Sequence, residues 1–240
     1  MKSNVLKKRT EKFRGFLNLL YSGAFLRFTR LNRNRLLRQT RTLGIDRLHI
    51  GCGNILLEGW LNITYEMREK YGEIKERNGR WWLNYDVRKQ LPFDDNTIQY
   101  IAGSHFIEHL DLNEGMDFFK EAFRVMKKGG VIRVSCPDLE IYARHYVSGN
   151  KEFFENPFIR QACTFKNAVT NGEIFAAKAY DSGGAHKWFY DFNSLKHVLE
   201  LAGFHQVKKV GRLQGQVPDV QRIEPAEREI ETSYAEAVKP

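Results

Sequence analysis

Short apolar runs of the β type alternate with helical patterns along the chain from Ile45 onward. The runs are Arg47 to Ile50, Trp60 to Ile63, Trp81 to Tyr85, Ile98 to Ala102, Val131 to Cys136 and Phe204 to Val210. Strands that alternate with helices form parallel sheets, so this order predicts a doubly wound α/β fold with helices on both faces. The closing segment, Glu229 to Val238, predicts a last strand at the edge of a seven-stranded sheet.

One long helix is predicted between the fourth and fifth of these runs. Apolar residues recur there every three or four positions from Leu112 to Met126. Lys127 and Lys128 would supply cations for the negative end of the helix dipole, and the Gly129-Gly130 pair would stop the helix. The pattern therefore predicts a helix that runs to the two lysines.

Capping residues predict two further helices. Asp191 or Asn193 is expected to cap a helix that ends at Gly203, where a glycine tolerates the left-handed conformation. Asp138, after a proline, can cap another helix. The aromatic stretch from about 150 to 185 predicts a helical insertion over one edge of the sheet.

The first 41 residues differ sharply from the rest in charge. They hold twelve Lys and Arg and one acid, whereas the other 199 residues sum to −2 within a total of +9. Their apolar residues recur at helical spacing, which predicts a basic amphipathic helix. Residues 1–41 are therefore expected to be an extension, and 42–240 the folded domain. The extension could pack on the domain, lie on an anionic membrane or bind nucleic acid.

Composition excludes several classes of protein. With 42% hydrophobic and 28% charged residues, the chain is expected to fold in water. The longest uncharged apolar stretch near its start, Gly15 to Leu26, is too short to span a bilayer and lacks the flanks of a secretion signal. Three widely spaced cysteines predict neither a disulfide framework nor a cysteine zinc site. A cytoplasmic location is expected, with attachment to the inner face of the membrane left open.

A glycine turn follows the first strand directly. Gly51 and Gly53 would let a ligand approach the main-chain N–H groups closely. Leu56 stands where a dinucleotide fingerprint has its third glycine, which disfavours a nicotinamide-dependent dehydrogenase. Ligands of open parallel sheets bind at the carboxyl ends of the strands. That edge is where Gly51, Thr64, Asp86 and Ser104 are expected to converge.

These residues stand in motifs that resemble a known family. The motifs are LHIGCGN with EGWLN, DVRKQLPFDDNTIQYI, SHFIEHL, EAFRVMKKGGVIRVSCPDLE and HKWFYDFNSLKHVLELAGF. Together they resemble the class I S-adenosylmethionine-dependent methyltransferases, in particular the small bacterial type associated with surface-polysaccharide gene clusters. The resemblance covers roughly Leu48 to Val238 and implies a Rossmann-like methyltransferase fold with S-adenosyl-L-methionine as cofactor.

The resemblance also implies a set of cofactor-binding residues. The turn at Gly51, Cys52 and Gly53 would pass under the methionine part, and Asp86 with Val87 would border the adenine. The family has acids where this chain has His49 and Thr64. A single hydroxyl cannot accept from both ribose hydroxyls, so that role could move to Glu66. The remaining members of the set are Ser104 and His105 at the end of the fourth strand.

The sequence from His105 to His109 spells H-x-x-E-H. On a continuous helix such a motif binds zinc in peptidases, but here it follows a strand between methyltransferase-like motifs, so a peptidase is disfavoured and no metal is expected. His105 would orient an acceptor or take its proton, whereas Glu108 and His109 would fix the loop. His186, in an aromatic segment after Asp181-Ser182-Gly183-Gly184, could close over an acceptor. Asp138, either a cap or an acceptor contact, completes the catalytic candidates His105, His186 and Asp138.

The sequence thus favours a methyltransferase that acts on a hydroxyl of a glycan or of a polysaccharide precursor. Two alternatives remain open. The chain could be a non-catalytic scaffold that keeps the methyltransferase fold, as the replacement of acids by His49 and Thr64 would allow. It could also methylate nucleic acid, although a domain with a net charge of −2 argues against a broad nucleic-acid surface.

Overall fold

The computed structural model describes residues 33–67, 69–161, 163, 167–181 and 185–240. These residues form an eight-stranded sheet in the order β3-β4-β2-β1-β5-β6-β8-β7. The strands are β1 (Arg47–Ile50), β2 (Leu61–Thr64), β3 (Ile74–Arg77), β4 (Arg80–Asn84), β5 (Ile98–Ser104), β6 (Met126–Pro137), β7 (His205–Lys209) and β8 (Thr232–Val238). The predicted α/β class is correct, but the sheet has one strand more than predicted.

The additional strand is β3, which forms an antiparallel hairpin with β4 at one edge of the sheet. Asn78 and Gly79 connect the two strands, and both have positive φ, at 52° and 72°. Two successive left-handed residues are what a tight hairpin turn requires, and Asn-Gly is the pair that adopts them most readily. This dipeptide was the sequence signal for the strand that the prediction missed.

The last strand lies inside the sheet, so its predicted edge position is wrong. β8 pairs antiparallel with β6 on one side and with β7 on the other. The remaining neighbours in the sheet, from β4 to β6, pair parallel to one another. Six of the seven residues of β8 are buried. An interior strand covered on both faces is expected to show such near-continuous burial, whereas an edge strand keeps one side open to water.

Helices cover the sheet and connect its strands. They are α1 (33–43), α2 (Leu112–Val125), α3 (Leu139–Val147), α4 (Lys151–Glu155), α5 (Pro157–Gln161), α6 (Asn171–Ala176), α7 (Phe192–Leu201) and α8 (Val220–Ile223). A π-helical turn, Ala177–Asp181, follows α6, and two 3-10 helices span Ile107–His109 and Ala226–Glu231. Asp191 caps α7 through a capping box with Ser194, as one of the two predicted caps.

The long helix α2 ends earlier than predicted. Asp111 caps its start through a capping box with Glu114, and the last helical residue is Val125. Met126 already has extended dihedral angles and begins β6, so Lys127, Lys128 and the glycine pair belong to a strand. The two lysines therefore do not supply the cationic last turn, a position that Arg124 occupies. Met126 pairs with Ile98 and so belongs to β6, and α2 therefore ends before the lysines and glycines that were expected to stop it.

Apolar side chains cover both faces of the sheet. One face carries Leu48, Ile101 and Ile132 in the main core, which α2 and α7 complete through Phe119 and Leu195. The other face carries a smaller cluster that includes Leu57, Trp60, Ala102, Val131 and Ile223 of α8. This two-sided arrangement leaves the ends of the strands as the edge where polar groups meet a ligand.

The predicted insertion is helical and has a core of its own. Helices α3 to α6 pack around Tyr142, Phe153, Phe154 and Ile174, apart from the two clusters on the sheet. At the other end of the chain, Leu36 of α1 is fully buried in the main core. The boundary predicted at 41 therefore falls inside a helix that packs on the domain. The apolar stripe predicted for the extension lies mostly outside the described residues.

No helix in the described part of the chain is both long enough and apolar enough to cross a bilayer.

Candidate functional site

Register brings the predicted site residues to one edge of the sheet. Ile50 pairs with Ile63 on one side and with Gly103 on the other, so Gly51, Thr64 and Ser104 follow at the same level. Thr64 in turn pairs with Asn84, two residues before Asp86. The structure thus places the carboxyl ends of β1, β2, β4 and β5 side by side, as expected.

The glycine turn is open to solvent on one side and tightly packed on the other. Gly51 and Gly53 are exposed and have positive φ, at 66° and 49°. A Cβ at Gly51 would lie 2.5 Å from the Cβ of Phe106, whereas a Cβ at Gly53 would meet nothing within 4 Å. Gly51 is therefore required by packing from below, and the space in front of Gly53 remains available to a ligand.

Two side chains next to this turn point away from the opening. His49 is buried, contacts Asn62 Oδ1 through Nδ1 at 3.2 Å, and has a pKa lowered to about 4 by burial. The Cys52 thiol is also buried, and desolvation raises its pKa to about 12. His49 thus serves packing, and Cys52 has only its main chain to offer a cofactor.

The loop after β2 is held by Asn84. Its side-chain amide accepts from Glu66 N at 2.8 Å and donates to the carbonyls of Glu66 and Glu69. Tyr85 N donates to the carbonyl of Thr64. Thr64 and Glu66, both half-buried, are thereby fixed beside the glycine turn and fit the predicted contact with ribose hydroxyls.

Asp86 is a partly buried carboxylate at the end of this edge. Arg88 donates to both of its oxygens at 2.8 Å, and the two groups form a bidentate pair. Desolvation opposes ionisation of Asp86, but the hydrogen bonds from Arg88 outweigh it and lower the pKa. Val87 packs partly against the main core. Asp86 is therefore ionised at neutral pH, and an adenine amine would share it with Arg88.

Ser104 and His105 form the turn after β5. Ser104 Oγ is buried, and it finds no hydrogen-bond partner among the described residues. His105 has a φ of 51°, a left-handed conformation that costs a residue with a side chain about 1–3 kcal/mol. Strain of this kind persists where the surroundings impose it, which is common at functional sites.

Four residues around this turn form what we call the histidine cluster: His105, Glu108, His109 and His186. Glu108 is buried, and desolvation raises its pKa to about 8. His105 Nδ1 lies 3.5 Å and His186 Nε2 lies 4.0 Å from Glu108 Oε1. The rings of His109 and His186 contact edge to face with centroids 5.1 Å apart. Burial lowers the pKa of His105 and that of His186, the latter to about 4, so both rings are neutral at pH 7.

Asp138 lies at the start of α3 as the predicted cap. Its carboxylate accepts from Glu140 N at 2.9 Å and contacts Lys209 Nζ at 3.3 Å. The residue is fully buried. These contacts account for Asp138 as a cap, and its catalytic role stays a prediction without a contact to support it.

A cavity of about 550 Å³ opens beside the histidine cluster. Exposed aromatic side chains line it, namely Tyr146, Tyr180 and Trp188, together with Phe175 and Phe189. Lys187 N and Trp188 N both donate to the carbonyl of Glu108, which ties this wall to the cluster. Sequence reasoning predicted the aromatic segment 186–190 but missed Tyr146 and Tyr180. The sequence signal that could have indicated these two tyrosines is the presence of aromatic residues in α3 and in the π-helical turn. Residues 182–184 of the predicted hinge lie outside the described residues.

Comparison with known families gives a match in the first half of the domain. Residues 48–134 match the model of a family described as a methyltransferase domain. The match spans β1 to β6, with the glycine turn, Asp86 and the histidine motif. Together with the strand order, it confirms the Rossmann-like methyltransferase fold. It also supports S-adenosyl-L-methionine, the cofactor expected from the sequence.

Similarity to solved structures is broad but distant. A methyltransferase from Thermotoga maritima, described as a possible histamine N-methyltransferase, shares 18% identity over 92% of this chain and 96% of its own, with a TM-score of 0.48. One from Archaeoglobus fulgidus shares 15% over 86% and 94%, with a TM-score of 0.45. No curated protein sequence matches the chain.

The two glycines of the turn should respond differently to alanine. Gly51→Ala combines left-handed strain with a clash against Phe106, so we expect a loss of about 2–5 kcal/mol in the free energy of unfolding. Gly53→Ala meets open space and should lose only about 1–2 kcal/mol from strain. Urea unfolding of both variants measures the difference, and equal losses would contradict the packing described here.

Proposed function

We propose that the protein is an S-adenosylmethionine-dependent methyltransferase. The observation that carries the proposal is the convergence of an exposed glycine turn, Thr64 with Glu66, and ionised Asp86 at one open edge of a methyltransferase-type sheet. Backbone N–H groups, hydroxyl acceptors and a carboxylate match the amino acid, ribose and adenine parts of this cofactor. Ser104 Oγ adds a buried polar atom that still lacks a partner among the described residues.

The cofactor, when bound, supplies a methyl group on a positively charged sulfur, so the protein chiefly aligns the acceptor and handles its proton. The glycine turn would hold the methionine part, and the strand ends would orient the nucleoside. The histidine cluster begins at His105, the residue directly after Ser104, and contributes the Glu108 carboxyl group with the neutral imidazoles of His105 and His186. We propose that this cluster accepts the proton that an acceptor hydroxyl loses when its oxygen attacks the methyl group.

The aromatic cavity is the proposed acceptor site. Its rings stand exposed while its rim carries Lys187, so a ligand can combine apolar faces with polar groups. A sugar has this character, because its C–H faces pack on aromatic rings and its hydroxyls remain free for hydrogen bonds. A glycan or a glycan precursor is therefore the acceptor class that we propose.

One observation favours a second candidate, a non-catalytic scaffold with the same fold. Both oxygens of Asp86 are engaged by Arg88, and Thr64 stands where a carboxylate would accept twice from ribose. If the pair does not open toward adenine, cofactor affinity would be lost while the fold remained. Cofactor binding separates the two candidates.

We also propose that the basic residues 1–41 attach the enzyme to an anionic membrane surface. Within the described part of this segment, Arg35 donates to the Gly72 carbonyl and Arg41 pairs with Asp94, so these arginines hold α1 on the domain. The more N-terminal basic residues, such as Lys7, Lys8 and Arg9, are the ones assigned to the membrane.

Isothermal titration of the full chain with S-adenosylmethionine tests the proposed function. We expect saturable binding that weakens about 10- to 100-fold in Asp86→Asn, because a charge-assisted hydrogen bond is lost. Asp95→Asn is the matched control, since that exposed carboxylate pairs with Arg124 away from the site. A folded wild-type chain that shows no saturation at millimolar cofactor would refute the proposal and leave the scaffold.

Saturation-transfer NMR tests the acceptor class. A panel of methyl glycosides should give transfer signals with the wild-type protein that fall at least severalfold in Trp188→Ala, because a stacking surface is removed. Val147→Ala, at a side chain that is 85% exposed and outside the cavity lining, should leave them unchanged. Binding of simple aromatic compounds with no glycoside bound would contradict a glycan acceptor.

Co-sedimentation with vesicles tests the membrane proposal. The full chain should bind phosphatidylglycerol vesicles, and replacing Lys7, Lys8 and Arg9 with glutamine should weaken binding at least tenfold, at about 1 kcal/mol per charge. Replacing Lys127 and Lys128, which lie in β6, is the control that removes positive charge elsewhere on the chain, and it should change binding little. Equal binding to uncharged phosphatidylcholine vesicles would rule out electrostatic attachment.

A further inference from the structure

The histidine cluster holds more lone pairs than its surroundings can satisfy. Glu108 is 1% exposed, and neither carboxylate oxygen has a hydrogen-bond partner among the described residues. An unpaired buried carboxyl group is costly, and the ionised form of Glu108 would need a nearby cation, because an ionised carboxylate without a partner is among the most costly groups to bury. Lys178, a buried amine whose charge acts on Glu108, already pairs with Glu231 at 2.8 Å.

Backbone carbonyls fix the tautomers of two histidines. His109 Nδ1 lies 3.0 Å from the carbonyl of Ala185, and His186 Nδ1 lies 2.8 Å from that of Lys178. A carbonyl oxygen only accepts hydrogen bonds, so both Nδ1 atoms carry the proton. Both Nε2 atoms are therefore unprotonated, and each presents a lone pair. Donation of the second ring nitrogen to a carbonyl is the usual arrangement around metal-binding histidines.

His105 presents the same pattern to the carboxylate oxygen that His186 also faces. Its Nε2 lies 2.8 Å from Thr232 Oγ1, and that hydroxyl donates to the carbonyl of Arg228. Thr232 is therefore the acceptor of the bond from His105, which leaves Nδ1 unprotonated and 3.5 Å from Glu108 Oε1. Among the described residues, unprotonated ring nitrogens thus face Glu108, and a proton or a cation is needed between them.

The spacing of these atoms suits a single ion. One ligand atom each from Glu108, His109 and His186 lies within 4.8 Å of the others. Glu108 Oε1 and His186 Nε2 are 4.0 Å apart, close to the about 3.4 Å that separates two ligands of one tetrahedral zinc ion. His109 is exposed, so an ion can enter from solvent on its side.

We propose that Glu108, His109 and His186 form a binding site for a divalent transition-metal cation, with zinc as its best-matched occupant. Two imidazoles and one carboxylate suit zinc and its neighbours, whereas magnesium and calcium prefer sets of oxygen ligands. Three protein ligands leave at least one position open for water or substrate. His105 flanks the carboxylate, with its Nδ1 3.5 Å from Glu108 Oε1. This site departs from the sequence expectation that the chain binds no metal.

The site would also explain how the cluster assists methyl transfer. An ion at this place would hold the oxygen that accepts the methyl group and favour loss of its proton, as bound metals do with water. The metal site itself follows from the cluster alone, and only this use of it rests on the proposed function.

Zinc binding to the full-length, untagged protein tests the inference. After chelation and dialysis, the protein is titrated with zinc chloride in competition with a chromogenic chelator, and the retained zinc is counted by mass spectrometry. We expect one tightly held ion per chain. His109→Ala, a change at an exposed ring, and Glu108→Gln should each weaken binding by about 100-fold or more, because a direct ligand is lost.

His197→Ala is the matched control, since His197 is also exposed but lies on α7 outside the cluster. All variants keep the three cysteines, and the cobalt-loaded protein should show d–d bands without thiolate charge-transfer bands. Zinc affinity in His109→Ala equal to that in His197→Ala would overturn the proposal, as would wild-type protein that retains no zinc. Titration of the same variants with S-adenosylmethionine separates failure of the metal site from failure of the cofactor site.

Discussion

The contact of Phe106 with two glycines is the constraint on which the site depends. Its side chain packs so closely on Gly51 and Gly103 that a Cβ at either position would overlap it. The ring then meets Phe118 of α2 edge to face, with centroids 5.0 Å apart. One side chain therefore joins the turn after β1, the end of β5 and the helix that covers them. Because packing fixes the turn from below, its upper side can stay open to a ligand.

Residues on both sides of Phe106 in the sequence belong to the histidine cluster. The residue before Phe106 is His105, whose backbone is left-handed, and the 3-10 helix after it carries Glu108 into the interior. The carbonyl of Glu108 then accepts two N–H groups from the segment that forms the wall of the aromatic cavity. The glycine turn, the histidine cluster and the aromatic cavity are thus consecutive along a few short connections. This continuity is the physical basis for assigning them to one reaction.

Local signals predicted most of the elements and the edge of the sheet where the proposed site lies. Gly51, Thr64 and Asp86 could be placed together because parallel strands end on the same side. The prediction failed where pairing between distant segments decides: Met126 joins Ile98 and ends α2 early, and β8 enters between β6 and β7.

Side-chain surroundings could not be predicted from spacing. Nothing near His186 in the sequence indicates that it meets Glu108, 78 positions away, with its tautomer fixed by a carbonyl. The pairing of Asp86 with Arg88 is short-range, but its geometry depends on how the loop after β4 is held. The Asn78-Gly79 dipeptide, in contrast, is a local signal that by itself indicates the hairpin of β3 and β4.

Hydrogen–deuterium exchange with and without millimolar S-adenosylmethionine tests the location of the cofactor most directly. If the cofactor binds at the proposed edge, peptides that cover 51–55, 64–66, 86–88 and 104–106 should exchange more slowly. Exchange in α8, which packs on the face of the sheet that carries Leu57 and Trp60, should not change. Protection confined to other peptides, or no protection in a protein that is otherwise folded, would contradict the account.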